Sequence, residues 1–250
     1  MNRKVFFDYV RRAPFGGRLT TGQVDGLTKI LDEWGKRKLT DNRWLAYILA
    51  TVFHETGTKI QPVRENGGEK YLKSKKYYPW VGEGLVQATW ETNHRKFGAT
   101  KPGQLMTWPI ALVALFEGMT KGMFSGKKLS DYFNKKIDDP VGARLIVNGR
   151  DKANLIALYH KNFLDAITKA QEVPDNSEGN KTVKVETEDL NPSESPGTLA
   201  TATAVISGLG GVGALGNISN PYAFGAFALL IVAIGAIGYA IFSKKLVIQR

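Results

Sequence analysis

Four stretches of this chain repeat apolar residues at spacings of three and four, and each predicts a helix. Thr20 or Thr21 is placed to cap the first, whose apolar side is Val24, Leu27, Ile30, Leu31 and Trp34. Thr40 or Asp41 starts the second, with Trp44, Leu45, Ile48, Val52 and Phe53 on one face and Gly57 placed to end it. The third runs from about Trp108 to Met123, and the fourth follows Asn148-Gly149 through Leu155, Ile156, Tyr159, Phe163 and Ile167. Between the second and third, residues 58–104 are punctuated by Gly67, Gly68, Pro79, Gly82 and Gly84 and read as loop-rich. No stretch alternates convincingly with the period of a strand, so the expected class is mainly α. The first segment, Met1 to Gly17, interleaves basic residues with Val5, Phe6, Phe7 and Val10, and lacks the uninterrupted apolar core of a signal peptide.

The pattern changes near residue 172. Residues 1–171 read as one globular domain, whereas residues 172–198 are rich in Pro, Ser, Asn, Glu and Thr and poor in large apolar side chains. Such a segment cannot bury a core, so an acidic flexible linker is expected there. Residues 199–250 are expected to form a membrane region, because Ser195 to Ser243 contains no charged residue. Within it, residues 221–242 are long enough to cross a hydrocarbon layer of roughly 30 Å as a transmembrane helix. Residues 199–218 are either more linker or the first arm of a membrane hairpin. One span with Lys244 and Lys245 inside would place the N-terminal domain outside the cytoplasm, whereas a hairpin would keep both ends inside.

Charge is divided the same way. The chain carries a formal +11, but residues 1–171 hold 29 Lys and Arg against 16 Asp and Glu, and residues 172–198 hold 2 against 7. A basic head of this kind is drawn to a polyanion such as nucleic acid, an anionic membrane or the bacterial wall. No nucleic-acid-binding motif is present, so no nucleic-acid partner is expected. The absence of cysteine excludes thiol catalysis and Cys-ligated zinc. His54, His94 and His160 show no metal-ligand spacing, and no cofactor is expected.

The candidate chemistry lies in residues 53–93. Glu55 ends an apolar helix, a rigid and sheltered place that suits a proton donor, while Glu65 follows in a loop expected to be wetter. Two carboxyl groups in contrasting surroundings are what acid/base cleavage of a sugar–sugar bond requires. Gln87, Thr89 and Asn93 are uncharged hydrogen-bonding groups able to hold sugar hydroxyls and orient a water, although turn chemistry and capping use the same residue types. Trp90, Tyr77, Tyr78 and Trp80 offer flat apolar faces for sugar rings. His54 is placed to be a hydrogen-bonding partner rather than a base.

Three runs occur in the order seen in family 19 glycoside hydrolases: Phe53-His54-Glu55-Thr56-Gly57, the run from Gly82 to Asn93, and Ala143-Arg144-Leu145-Ile146-Val147-Asn148-Gly149. The head therefore resembles that family of plant-type chitinases and phage endolysins, within the lysozyme-like superfamily. The resemblance implies a lysozyme-like helical domain with irregular cleft loops. It implies that Glu55 is the general acid, Glu65 the general base with Glu69 as the alternative base, and Thr89 a holder of the attacking water. It also implies that Gln87, Asn93 and Asn148 bind sugar. Where the family has Gly-Arg-Gly this chain has Gly82-Glu83-Gly84, which is expected to remove a cation near the acidic pair. The implied activity is inverting hydrolysis of β-1,4 bonds between amino sugars of peptidoglycan, the expected partner, by a membrane-anchored enzyme working on the periplasmic wall. A lytic transglycosylase, a chitinase, and a membrane-anchored virion or envelope protein with a non-catalytic wall-binding head are the alternatives.

Overall fold

A computed structural model describes residues 1–174. The expected transmembrane helix at 221–242, its possible hairpin partner and nearly all of the expected linker lie outside the described residues. Among the described residues, no helix is long and apolar enough to cross a membrane. The described chain is mainly α. Eight helices, α1 (Arg3–Arg12), α2 (Thr21–Lys36), α3 (Asn42–Glu55), α4 (Glu69–Lys73), α5 (Glu91–Lys96), α6 (Trp108–Lys121), α7 (Leu129–Tyr132) and α8 (Ala153–Glu172), are joined by loops, two 3-10 turns and one two-residue strand pair.

Helix α3 organises the core. Asp41 caps it by accepting a hydrogen bond from the Arg43 N–H at 3.0 Å. Every residue from Leu45 to Phe53 is buried, so α3 is not the one-sided helix its spacing suggested. A helix apolar all round must be surrounded. Helix α8 packs along it, and Phe53 meets Phe15, Tyr159 and Phe163 edge-on at centroid distances of 5.0, 4.7 and 6.0 Å. Helix α2 starts in a reciprocal cap, with the Gln23 N–H donating to the Thr20 hydroxyl and the Thr20 N–H donating to the Gln23 amide oxygen.

Helix α1 was not foreseen. Asn2 caps it, Phe6, Phe7 and Val10 are buried, and the Asn2 N–H reaches Ala170 O of α8 at 2.9 Å. Four apolar residues among many charges make too short a pattern to read as a helix, yet the three that are buried suffice against an existing apolar wall.

The loop-rich middle contains β1 (Val63–Arg64) and β2 (Glu83–Gly84), paired antiparallel with Val63 opposite Gly84 and Arg64 opposite Glu83. Two residues per strand leave no alternation to detect. A second small core of Ala88, Phe97, Ala99, Leu105 and Ala114 lies beneath this region. Residues between Glu83 and Ala88 form a tight turn closed by Glu83 N–H to Ala88 O (3.2 Å) and Ala88 N–H to Glu83 O (3.0 Å).

Candidate active site

Glu65 follows β1 directly, and its own N–H donates to Gly82 O at 2.6 Å. Its carboxylate takes one hydrogen bond from the Tyr77 hydroxyl (2.7 Å, to Oε1) and one from the Gly82 N–H (2.9 Å, to Oε2). Each carboxylate oxygen retains further acceptor capacity. Glu65 is half-buried and tied on both oxygens, so the loop that carries it holds the carboxylate in a fixed place. The bond to Glu65 pushes the Tyr77 hydroxyl up to about 12, with burial and the nearby carboxylate charge adding to it, so Tyr77 remains a donor.

Gly82 is the point where the polar groups converge. A Cβ there would meet Gln87 Oε1 at 3.1 Å and both Glu65 Cβ and Thr89 Oγ1 at 3.4 Å. Gln87 has φ +52 and uses its amide N–H to hold β1 through Val63 O at 2.8 Å. Its amide oxygen accepts no hydrogen bond from the described residues and lies toward Gly82. The Thr89 hydroxyl donates to Gln87 O (3.1 Å), and the Asn93 amide donates to Thr89 O (2.8 Å). Asn93 therefore braces the turn through its amide N–H. Trp90 has φ +77, is half exposed at 49 %, and meets Tyr77 edge-on at 5.5 Å. Glu65, Tyr77, Gln87, Thr89 and Trp90 thus share one locality.

Glu55 belongs to a second cluster, at the last turn of α3. Its Oε1 accepts from Arg144 Nη1 at 2.6 Å, with side-chain exposures of 14 % for Glu55 and 3 % for Arg144. Arg144 comes from the 3-10 turn Gly142–Ile146, and its Nε–H donates to Asp151 O at 3.1 Å. Arg144 lies in one of the three runs that carry the family resemblance, yet the order of residues alone gives it no role. The available signal was elementary, since a guanidinium within an otherwise apolar turn needs a carboxylate partner. Glu55 is therefore not merely sheltered by apolar neighbours; it is paired to a buried cation. His54 sits beside this pair. Burial pushes its imidazole pKa below the ordinary value, opposed by the Glu55 charge and reinforced by Arg144. Asn148 lies exposed just past the turn, with its N–H on Arg144 O (3.1 Å) and its side-chain oxygen on the Gly149 N–H (2.8 Å).

Glu69 is hydrogen-bonded to no residue of either cluster. It is 57 % exposed at the start of α4 and pairs with Arg64 at 2.7 Å. Arg64 is exposed whereas its neighbour Glu65 is half-buried, as alternation along an extended segment requires.

Glu83 stands where the resemblance implies an arginine. Its side chain is buried and turned to Gly103, whose N–H bonds both carboxylate oxygens at 2.8 and 2.9 Å. The cation beside Glu55 comes from Arg144. Burial pushes the Glu83 carboxyl upward, against the Gly103 N–H and the neighbouring His94. His94 Nε2–H is shared between Val81 O (3.1 Å) and Ala88 O (2.9 Å), and so ties together the residues preceding Gly82 and Thr89. Its Nδ1 is buried without a hydrogen-bond partner, 3.9 Å from Glu83 Oε2.

Among the described residues no group of three or more His, Asp or Glu side chains is arranged to hold a metal ion. Comparison with protein-family models, curated proteins and solved structures finds no match for the chain.

Proposed function

We propose that the head is a lysozyme-like glycosidase that hydrolyses β-1,4 bonds between amino sugars of bacterial peptidoglycan. One observation carries the reading: Glu65 is held by a tyrosyl hydroxyl and a backbone N–H beside Gly82, where Gln87 Oε1 and Thr89 Oγ1 converge. A carboxylate fixed in this way, with a neighbouring hydroxyl and amide oxygen, suits a base that orients and deprotonates a water. Glu55, fixed by Arg144 at the end of a buried helix, then serves as the proton donor to the leaving oxygen. Trp90 and Tyr77 supply sugar-stacking faces, and Asn148 and His54 flank the acid. The proton balance requires Glu55 to enter as the carboxylic acid and Glu65 as the carboxylate: water loses a proton to Glu65, the glycosidic oxygen gains one from Glu55, the carboxylate so formed is the state Arg144 pairs with, and the anomeric carbon inverts.

Purified full-length chain incubated with wall sacculi is expected to release reducing amino-sugar ends with one oxygen of solvent ¹⁸O-water in each new hemiacetal. Glu55→Gln is expected to abolish release while leaving the circular dichroism spectrum intact. Anhydro-sugar products would replace hydrolysis with transglycosylation, and binding without turnover would leave a structural wall-binding head. In a complex with an unreactive oligosaccharide, the Glu55 and Glu65 carboxyls should lie about 6.5–9.5 Å apart, with one water between sugar and Glu65.

A further inference from the structure

Residues 70–80 form an unusual surface immediately beside the Glu65 locality. The stretch contains Lys70, Lys73, Lys75 and Lys76, three tyrosines and a tryptophan, and no acidic residue. Lys70, Lys73 and Lys76 are exposed and Lys75 is half-buried. None of the four makes an ion pair with the described residues. Lys127, Lys128, Lys135 and Lys136 also make no ion pair with the described residues, but they are interleaved with Asp131, Asp138 and Asp139, whereas residues 70–80 hold no carboxylate. Four uncompensated cations on one short segment carry a cost in mutual repulsion that an anionic ligand would relieve.

The segment is continuous with the site through packed rings. Lys75 Nζ lies 3.8 Å from the centroid of the half-exposed Tyr71 ring. That ring packs so closely on Gly67 that an added Cβ would overlap it, and Gly67 is two residues from Glu65. At the other end, Tyr77 follows Lys76 directly and holds Glu65. Tyr78, exposed at 37 %, and Trp90 extend the aromatic surface.

We infer that Lys70, Lys73, Lys75 and Lys76, with Tyr71 and Tyr78, form a docking shelf for the carboxylates of peptide stems attached to the glycan strand being cut. The inference rests on the glycosidase reading and deepens it by naming a charged substrate. Adjacency to Glu65 selects this ligand: a group met there must travel on the strand that enters the site, as stem carboxylates do. Cations beside aromatic faces suit a ligand that presents sugar rings and negative charge together. A neutral amino-sugar polymer would engage the aromatic faces alone.

The test compares two quadruple variants in the full chain. One carries Gln at Lys70, Lys73, Lys75 and Lys76. The control carries Gln at Lys127, Lys128, Lys135 and Lys136, an equal charge change in a region interleaved with Asp131, Asp138 and Asp139. On peptide-bearing sacculi the shelf variant should show KM raised at least tenfold at low salt with kcat nearly unchanged, and a weaker dependence of KM on salt. The control should change less than threefold. On glycan strands stripped of stems by an amidase, shelf variant and wild type should be alike.

The same pair placed in the Glu55→Gln background and sedimented with intact sacculi reads binding without turnover. A selective loss by the shelf variant there supports the shelf even if no hydrolysis is found, so failure of the activity and failure of the shelf remain distinct. Equal behaviour of the two quadruple variants overturns the inference. It is also overturned by an equal loss on stripped strands, by a loss that vanishes when only phosphate polymers are removed from the sacculi, or by an equal loss on a DNA oligonucleotide or anionic vesicles.

Discussion

At the scale of single residues, the two carboxylates are held by different means, and the difference is testable. Arg144 is nearly fully buried, so its charge depends on Glu55 for a partner, and removing either leaves a costly remnant. In a double-mutant cycle of Arg144→Gln and Glu55→Gln read by urea unfolding, a coupling of about 1–3 kcal/mol is expected. A coupling near zero would mean that the pair does not persist in solution. Tyr77→Phe deletes one charge-assisted hydrogen bond to Glu65, worth about 1.5–3 kcal/mol when fully expressed. If that bond orients the base, kcat on sacculi should drop roughly tenfold or more with KM little changed. Because the Tyr77 hydroxyl is pushed up to about 12, the alkaline side of the wild-type rate profile should show no loss near the ordinary tyrosine value of 10. A fall there that disappears in Tyr77→Phe would contradict the assignment.

At the scale of elements, close backbone approach decides where the loop segment leaves α3. Gly26 of α2 faces the Ile60 carbonyl so tightly that an added Cβ would overlap its oxygen. Ile60 itself has φ +54, and its N–H donates to the Thr56 hydroxyl at 3.0 Å. The chain between Glu55 and Glu65 is thus clamped against α2. Gly26→Ala should destabilise by about 1–3 kcal/mol through overpacking, a Tm lower by several degrees for a domain of this size. An unchanged Tm would show that α2 can shift without cost. At the other side of the site, α5 is six residues long and its one buried residue is His94, so the element exists mainly to place that ring against Val81 O and Ala88 O. Of the helices that carry the core, α2, α3, α6 and α8 were legible because their apolar spacing extends over three to five turns, and α1 was not. The strand pair, α4 and α5 were not, since each is too short to produce a period, and the strand pair is in addition formed by hydrogen bonds between residues distant in sequence.

For the whole molecule, buried ionisable groups predict how stability varies with pH. Burial lowers the pKa of both His160 and His54. The unfolded chain therefore takes up protons near 6.5 that the folded chain refuses, and the stability present above that value is lost as pH falls below it. Glu83 works in the opposite direction. Its carboxyl is raised by burial, so the folded state holds a proton above 4.5 that the unfolded state has released, and stability is lost as pH rises through the window between 4.5 and the folded value. Urea midpoints should accordingly decline from pH 7 to pH 5.5, and the decline should be shallower in His160→Phe, whose ring stacks on Phe133 at 5.2 Å. Glu83→Gln should raise the midpoint at pH 7 relative to wild type, since its amide oxygen can still accept from the Gly103 N–H. A lower midpoint would mean that the ionised carboxylate is worth more than its burial costs.

What the order of residues determined by itself is the mainly helical character of the head, its long helices and their caps, and the short run in which the polar chemistry concentrates. These depend on local spacing and on side chains meeting their own backbone. Tertiary structure alone decided that Arg144, 89 positions from Glu55, would pair with it, that Glu83 would turn toward Gly103 while Gln87 and Thr89 gathered around Gly82, and that Glu69 would stay at the surface with Arg64. The physical reason is the same in each case. A charge or a hydrogen-bonding group is satisfied by whichever partner the packed core brings within about 3 Å, and that partner is selected by the folding of distant segments onto one another.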